Sequence, residues 1–523
     1  MKPQLIIPMS GIGKRFQDEG YVEPKFLIKV LGKTIIQHVI QMFPTIEDIV
    51  FIVNKEHCSN PSFRLKEHLR EIAPSSKIFE IDGHDKGPGW AILEASSLIN
   101  LERPVIVNYC DFNAIFDYEK LEKELASGID GVIMTYDGFH PHMIRSQQFA
   151  YVKKNVHNEV IEIQEKKSFT NNPLLEEAST GTYGFRNGKI LLDALNDQVK
   201  LNYNLNGEYY ISLTYKSMLR KNMKIKTSKV KFFMQWGTPE DLSDFNYWSD
   251  TLNSLMQKFN TEKFDSKTIK IILAAGRGDR FRNAGYVESK ALLNLNGKPI
   301  IERIIQIFGP TQSTVLLRRS QKDLTNFLKT INAKLKIIED ETQGQAASAY
   351  LGLQNLENQK LLISTCDSIL VINELDDLSD KDTDLYVFTT KLMPNSELKP
   401  EQYGWVNFDK VSNRISKTVL KAKPDNYNNW QVFSGSMMVK SSDRLSRLLE
   451  ELFNSGVKVN GEFYLDSVIE VAIKSGLRVI RKEADLFISL GTPDEYQSFI
   501  YWQSCFDDWE SHPYSARENR LFN

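Results

Sequence analysis

The sequence has 523 residues, of which 41% are hydrophobic and 25% charged, and 65 basic residues nearly balance 67 acidic ones. This length exceeds what one hydrophobic core supports, and the ordinary composition excludes a disordered or fibrous protein. The net charge of −2 provides no global attraction for nucleic acid, and no apolar run approaches the roughly 20 residues that span a bilayer, so we predict a cytoplasmic protein without membrane insertion.

An internal repeat organises the chain. The opening stretch "IIPMSGIGKRFQDEGYVEPKFLIKVLGK" returns as "IILAAGRGDRFRNAGYVESKALLNLNGK", 265 positions later. "VIVNYCDF" then matches "LLISTCDS", and "NGEYYIS" matches "NGEFYLD". We therefore predict a domain over 1–250, a linker over 251–267, a second domain over 268–505 and a tail over 506–523. The sequence leaves the oligomeric state open.

Each copy begins with a short apolar run that reads as a strand, "QLIIPM" or "IKIILAA". A glycine-containing turn follows this run directly. Helical spacing of apolar residues follows in "IIQHVIQMF" and "IIERIIQIF", and "DIVFIVN", "PVIVNYCD", "STVLLRR" and "KLLISTCD" read as buried strands. Alternating strands and helices predict an α/β fold with a mostly parallel sheet, whose ligands gather at the carboxyl ends of the strands.

The glycine turns carry the first chemical signal. Glycines leave room for backbone N–H groups to approach a phosphate, and an arginine follows two residues after the second glycine of each turn. The predicted phosphate-binding positions are Gly11, Gly13 and Arg15 in the first copy, and Gly276, Gly278 and Arg280 in the second. The spacing fits neither the dinucleotide-binding G-x-G-x-x-G nor the P-loop.

The ordered set of turn, arginine, later lysine and "GKxII" resembles the nucleotidyltransferase family of NDP-sugar pyrophosphorylases and phosphocholine-type cytidylyltransferases, including capsule-biosynthesis members. The resemblance implies two tandem GT-A-like Rossmannoid domains, each a mixed, mostly parallel sheet flanked by helices. It also implies transfer of a nucleotidyl group from an NTP to a phosphorylated small molecule, with release of pyrophosphate. Lys25 and Lys290, with Arg15 and Arg280, would then clamp the triphosphate together with Mg²⁺.

Two strand ends carry an aspartate that would be costly to bury without a partner, Asp111 and Asp367. The resemblance implies that both bind Mg²⁺, and helix capping is the alternative for them. The family's second metal-binding aspartate is replaced by Gln235 and Ser489 in the two copies. Substrate phosphates and water would have to complete the coordination of the metal.

The resemblance also implies acceptor-binding and base-binding residues. Acceptor contacts are expected from five residues, Glu165, Lys166, Glu208, Lys421 and Glu462. Leu420 stands where the second copy should have the counterpart of Glu165. The base is expected beside Gln343 and Gly344 in the second copy and beside Gly87 in the first, where Lys86 replaces the glutamine.

Three hypotheses follow from these patterns. The first is an enzyme with two nucleotidyltransferase domains that supplies surface polysaccharide precursors. The second has one catalytic half and one half that only binds nucleotide or supports the fold. The third is a GT-A glycosyltransferase, which the absence of an Asp-x-Asp metal motif disfavours.

Overall fold

The structure, a computed structural model, describes residues 1–259, 268–339, 341–373, 380 and 382–522. The chain forms two compact units, Met1–Asn246 with Ser504–His512 and Tyr247–Gln503 with Pro513–Asn523. Residues 260–267 of the predicted linker lie outside the described residues. No helix of the described residues is long and apolar enough to cross a membrane.

Thirteen strands are described in the first half of the chain. They are β1 (Gln4–Met9), β2 (Lys29–Val30), β3 (Lys33–Thr34), β4 (Ile49–Asn54), β5 (Lys77–Ile81), β6 (Val105–Asn108), β7 (Phe112–Ile115), β8 (Gly131–Tyr136), β9 (Tyr151–Lys154), β10 (Val160–Gln164), β11 (Glu177–Phe185), β12 (Ile225–Lys229) and β13 (Phe232–Gln235). The helices are α1 (Lys14–Asp18), α2 (Ile35–Gln41), α3 (Lys55–Ser59), α4 (Leu65–Ile72), α5 (Gly87–Glu94), α6 (Tyr118–Ala126), α7 (Gly188–Lys200), α8 (Thr214–Arg220) and α9 (Pro239–Ser254).

The main sheet of the first unit runs in the order β10-β9-β11-β6-β1-β4-β5, and β8 and β12 extend it from β11. Strands β6, β1, β4 and β5 are parallel, whereas β11 is antiparallel to β6. All six side chains of β1 are buried, as expected for a central strand covered on both faces. The core brings α5 and α7 against this sheet through Ile92 and Leu191.

The second half repeats the arrangement. Its strands are β14 (Ile269–Leu273), β15 (Asn294–Leu295), β16 (Lys298–Pro299), β17 (Ser313–Arg318), β18 (Lys334–Ile338), β19 (Leu361–Thr365), β20 (Ser368–Val371), β21 (Leu385–Thr390), β22 (Gly404–Phe408), β23 (Ile415–Leu420), β24 (Trp430–Val439), β25 (Val479–Glu483) and β26 (Leu486–Ser489). Its helices are α10 (Asp279–Asn283), α11 (Ile300–Phe308), α12 (Lys322–Thr330), α13 (Gln345–Leu353), α14 (Pro394–Leu398), α15 (Ser442–Ser455), α16 (Ser467–Lys474) and α17 (Pro493–Asp508).

The main sheet of the second unit runs in the order β18-β17-β14-β19-β24-β21-β25, with β22 paired to β24 and β23 paired to β22. Strands β19, β14, β17 and β18 are parallel, and β24 is antiparallel to β19. The predicted fold, a mixed α/β sheet flanked by helices in each of two tandem copies, is confirmed. The carboxyl ends of β1 and β14 open into the two glycine turns, so each candidate site is expected at that edge of its own sheet.

Candidate active sites

The glycine turns follow β1 and β14 directly and lead into short helices. Gly13 and Gly278 have φ angles of 70° and 69°, a left-handed conformation that favours glycine. Around Gly11 and Gly276, in contrast, an added Cβ would meet no atom within 4 Å. Their lack of a side chain is therefore not required by packing within the chain, and it leaves the turn open to an incoming group.

A lysine–aspartate pair lies beside each turn. Lys25 Nζ donates to Asp111 Oδ2 at 2.6 Å, and Lys290 Nζ donates to Asp367 Oδ2 at 2.5 Å. The two pairs are equally sheltered, with side-chain exposures of 23% and 21% in the first and 21% and 19% in the second. Two independent copies have thus kept one geometry for residues that are far apart in sequence.

Electrostatics hold the two lysines in the charged form. Burial would lower the pKa of Lys290, but the attraction of Asp367 outweighs it and raises that pKa above the usual range. Burial would likewise raise the pKa of Asp367, and Lys290 instead lowers it. The same balance of burial and attraction to Asp111 raises the pKa of Lys25. Each site therefore keeps a charged lysine, and in the second site the aspartate beside it is ionised as well.

The two positions that depart from the expected metal pattern lie next to the aspartates. The Trp236 N–H donates to the Asp111 carbonyl and the Leu490 N–H to the Asp367 carbonyl, both at 2.9 Å, so the preceding Gln235 and Ser489 adjoin the carboxylates. The amide of Gln235 and the hydroxyl of Ser489 can offer oxygen but no charge. Among the described residues there is no cluster of three or more His, Cys, Asp or Glu that could hold a metal.

Each carboxylate nevertheless fits a metal ion whose other ligands come from substrate phosphates and waters. A Cβ built at Gly237 would lie 3.3 Å from Asp111 Oδ2, and one at Gly491 would lie 3.3 Å from Asp367 Oδ2. Each of these carboxylate oxygens thus faces a backbone without a side chain. One carboxylate suits Mg²⁺ when substrate phosphates and waters supply its other ligands.

A cavity of about 430 Å³ surrounds the pair in the second unit, and Arg280, Lys290 and Asp367 line it. Two further cations that the sequence analysis did not single out, Arg277 and Arg318, also line this cavity. The Arg318 guanidinium contacts Glu341 at 3.0 Å and lies near the carbonyl of Gly276 at 3.4 Å. These two arginines add positive charge beside the glycine turn, and Glu341, which pairs with both of them and also lines the cavity, offsets part of that charge.

The predicted base-binding helix start contacts the predicted acceptor glutamate. The Phe463 N–H donates to the Gln343 carbonyl at 2.8 Å, and the Ala346 N–H donates back to the Phe463 carbonyl at 3.0 Å. A Cβ on Gly344 would lie 3.1 Å from the Cβ of Glu462. The Gln343 side chain is exposed, whereas Gly344 and Gln345 line the cavity.

The first unit builds the same junction differently. Gly87 has a φ of 80°, and a Cβ there would lie 3.2 Å from the Cβ of Glu208. Trp90 stacks on Tyr209 with ring centroids 6.3 Å apart, and Lys86 Nζ lies 3.9 Å from the centre of the Trp90 ring. This aromatic and basic surface replaces the small polar segment of the second unit.

The two predicted acceptor-binding lysines occupy equivalent, strained positions. Lys166 and Lys421 have φ angles of 53° and 51°, which non-glycine residues adopt at an energetic cost. Lys166 Nζ donates to the Tyr210 hydroxyl at 2.7 Å, and Lys421 Nζ donates to the Gln402 carbonyl at 2.6 Å. Burial lowers the pKa of Lys421, and this lysine lines the same cavity as Arg280 and Asp367.

The two predicted acceptor regions each contain a sheltered carboxylate, the half-buried Glu165 in the first unit and the buried Asp466 in the second. Glu165 accepts a hydrogen bond from the Ser212 hydroxyl, and burial raises its pKa. Asp466, which aligns with Ser212, was not predicted to act in the site. It is 7% exposed and lines the cavity, and burial raises its pKa to about 6. The matched segments "NGEYYIS" and "NGEFYLD" contained this difference.

Asp466→Asn is expected to stabilise the second unit at pH 8 and to leave its stability unchanged near pH 4. The folded pKa is raised, so the native state holds the proton more tightly than the unfolded chain. Stability is therefore lost as the pH rises from the ordinary pKa of 3.8 through about 6, and the neutral amide avoids that loss. Thermal unfolding of both proteins at the two pH values measures it. A lower midpoint for the variant at pH 8 would contradict the assignment.

Both halves match models of known families. The Nucleotidyl transferase model matches residues 5–262, and the MobA-like NTP transferase domain model matches residues 270–379. The chain is 27% identical to the bifunctional protein GlmU of Thermodesulfovibrio yellowstonii over 214 residues, which are 40% of this chain and 45% of that protein. It is also 27% identical to GlmU of Campylobacter fetus over 232 residues, 43% of this chain and 51% of the relative. The chain thus spans about half the length of these curated relatives.

Solved structures show a further likeness. A nucleoside-diphosphate-sugar pyrophosphorylase from Vibrio cholerae RC9 is 21% identical with a TM-score of 0.38, covering 46% of this chain and 98% of its own. The inositol-1-phosphate CTP transferase of T. maritima is 19% identical with a TM-score of 0.36, covering 46% of this chain and 97% of its own.

Proposed function

Because the chain belongs to the nucleotidyltransferases, with one such domain in each half, we propose that it transfers an NMP group from an NTP to a phosphorylated small molecule and releases pyrophosphate. The supporting observation is the Lys–Asp pair, which recurs at 2.6 Å and 2.5 Å beside a glycine turn at the carboxyl end of a parallel strand. Both halves keep this pair, so we propose that both are catalytic.

The proposed chemistry is an in-line displacement at phosphorus. A phosphate oxygen of the acceptor forms a bond to the α-phosphorus, the bond from that phosphorus to the bridging oxygen breaks, and pyrophosphate leaves with the electron pair. Lys25 and Lys290 neutralise the charge that develops on the triphosphate, and Arg15 and Arg280 bind its outer oxygens. When bound at Asp111 or Asp367, Mg²⁺ would supply further charge neutralisation and orient the phosphates.

The acceptor and the biological role are finer parts of the proposal. Lys166 and Lys421 are suited to hold the phosphate of the acceptor, and Glu208 and Glu462 lie where each predicted base segment meets the predicted acceptor region. The nucleoside-diphosphate-sugar pyrophosphorylase and inositol-1-phosphate CTP transferase names of the structural relatives suggest a sugar or polyol phosphate as the acceptor class. We propose that the products serve surface polysaccharide synthesis.

Screening tests the proposed function directly. The full chain is incubated with Mg²⁺, each of ATP, CTP, GTP, UTP and dTTP, and a panel of hexose 1-phosphates, polyol phosphates and phosphocholine. We expect pyrophosphate release that requires both substrates and a nucleotide-linked product in equal amount. Release of a nucleoside diphosphate from an NDP-sugar donor, without pyrophosphate, would instead indicate a glycosyltransferase.

The open glycine turn supports a second prediction. Gly276→Ala is expected to leave the free energy of unfolding within about 0.5 kcal/mol of the parent, because an added Cβ there meets nothing within 4 Å. The same methyl group would obstruct a bound triphosphate, so we expect nucleotide affinity to fall by about tenfold or more. Chemical unfolding and calorimetric titration with Mg-nucleotide measure the two effects.

Gly344→Ala provides the contrasting control. Gly344 has a φ of 114°, and a Cβ there would lie 2.5 Å from the Phe463 carbonyl oxygen. We expect this variant to lose about 2 kcal/mol or more of stability. A Gly276→Ala protein that is destabilised to a similar extent, or that binds nucleotide as well as the parent, would contradict the proposed role of the turn.

A further inference from the structure

Three aligned positions of the acceptor region differ together between the two halves. In the first half, the last pair of the β9–β10 ladder joins Tyr151 to Gln164. The residues just beyond that pair are Ala150 and Glu165. In the second half, the equivalent ladder ends with Gly404 paired to Leu420. The third difference is the change from Ser212 to Asp466. Compared with the first half, the second half therefore lacks the carboxylate that follows β10 and has one immediately before α16.

The glycine of this ladder makes room for the new carboxylate. A Cβ built on Gly404 would lie only 2.1 Å from Asp466 Oδ2, closer than any real contact allows. The alanine of the first half is therefore incompatible with the position of Asp466. The missing Cβ at Gly404 and the carboxylate of Asp466 are thus one structural difference. It lies beside Leu420, the residue that stands in place of Glu165.

A helix-capping role does not explain Asp466. It is the residue before α16, but its side chain makes no capping hydrogen bond to that helix. Its Oδ1 is buried and accepts no hydrogen bond from any residue that the structure describes. A buried carboxylate oxygen without a donor is costly unless a ligand supplies one.

The position of Asp466 indicates the ligand. It lines the cavity together with Lys421, Glu462 and Tyr464, on the side where the proposed function places the acceptor. In the first half, Glu165 occupies the corresponding region and shares a hydrogen bond with Ser212. Both halves thus place one carboxylate beside the lysine that is proposed to bind the acceptor phosphate. In the first half it is Glu165, just after β10, and in the second half it is Asp466, just before α16.

We propose that Asp466 determines the acceptor specificity of the second site, where it accepts a hydrogen bond from a hydroxyl or ammonium group of the phosphorylated acceptor. This inference rests on the proposed function. An aspartate is shorter than a glutamate, and this one is held by α16 rather than β23. The donor group must therefore lie at a different place relative to Lys421, so the two sites take different acceptors.

The test reads the second site alone, in a full-length Lys25→Ala protein. The Lys25→Ala protein is screened for pyrophosphate release with CTP and UTP against glucose 1-phosphate, ribitol 5-phosphate and phosphoethanolamine. For the most active pair, Asp466→Ser is expected to raise KM for the acceptor by about 10- to 100-fold, because a hydrogen bond to a charged group is lost. The change in kcat should stay within about threefold, and the calorimetric Kd for the nucleotide within twofold.

Control variants separate binding from folding. Asp466→Asn keeps the shape of the side chain and should also raise KM, whereas Glu470→Gln, on the same helix, should not. Leu420→Glu combined with Asp466→Ser, in the Lys25→Ala protein, should give the second site the acceptor preference of the first. The preference of the first site is measured in a Lys290→Ala protein. An active hexose or ribitol phosphate identifies a hydroxyl donor, and active phosphoethanolamine identifies an ammonium donor.

The possible failures are distinguishable. If the Lys25→Ala protein releases pyrophosphate with no pair, the proposed function of the second site is overturned, and the inference with it. If it is active and Asp466→Ser leaves KM for the acceptor unchanged, the inference alone is overturned. Identical acceptor preferences of the Lys25→Ala protein and the Lys290→Ala protein, each without a further substitution, would also overturn it.

Discussion

Lys290→Ala should lower kcat/KM of the second site by about 10²- to 10³-fold, and Lys25→Ala should do the same to the first site. Each lysine is charged, sheltered and fixed against an aspartate at 2.5 Å or 2.6 Å, so it stabilises the developing charge without reorganisation. Pyrophosphate release by each variant, with the substrate pair of each site, measures the two effects separately. The double variant should release no pyrophosphate above background.

The aligned lysines of the "GK" motif supply matched controls. Lys33 interacts with the side chain of Gln41 and Lys298 with that of Glu302, both on the surface, so alanine at either position should leave kcat/KM within about twofold. If Lys25→Ala or Lys290→Ala alone removes all release with every substrate pair, only one half is catalytic. That result would contradict the proposal of two active sites and favour a supporting role for the other half.

Asp367→Asn should lower kcat of the second site by about 100-fold, and Asp111→Asn should do the same to the first. The pKa of Asp367 lies below its ordinary value, so the carboxylate is ionised at neutral pH and can bind a hard cation. Its amide replacement removes the charge while keeping the shape. Rates measured over a range of Mg²⁺ concentrations should show a half-saturating concentration at least about tenfold higher in each variant.

The neighbouring residues that replace the expected second aspartate serve as a comparison. Gln235→Asp and Ser489→Asp each add a carboxylate next to the existing one, and both should lower the Mg²⁺ concentration needed for half-maximal rate. An Asp367→Asn protein with unchanged Mg²⁺ dependence and unchanged kcat would show that this carboxylate only supports Lys290. The metal assignment would then be wrong.

The repeat made the fold predictable. Continuous apolar runs such as "DIVFIVN" indicated strands buried on both faces, and β4 is fully buried as predicted. The alternation with amphipathic helices then left a parallel sheet as the simplest arrangement. The Lys–Asp pairing was within reach, since the resemblance assigned both residues to one site, although no spacing rule joins Lys25 to Asp111 across 86 positions.

The parts of the site that escaped prediction depend on packing between distant segments. Arg318 reaches the glycine turn only because β17 pairs with β14, and nothing in its local sequence indicates this. Asp466 has meaning only beside Gly404, 62 positions earlier (466 − 404), because the missing Cβ creates its space. Aligned comparison of the two halves contained both changes, but only the structure shows that they meet.

Calorimetric titration with Mg-nucleotide tests the central claim most directly. The full-length protein is titrated with each common NTP, and the Lys25→Ala and Lys290→Ala proteins are titrated alongside. The account predicts two binding events in the parent, one of which is weakened in each variant. Absence of binding for every nucleotide in the unmodified protein would contradict it.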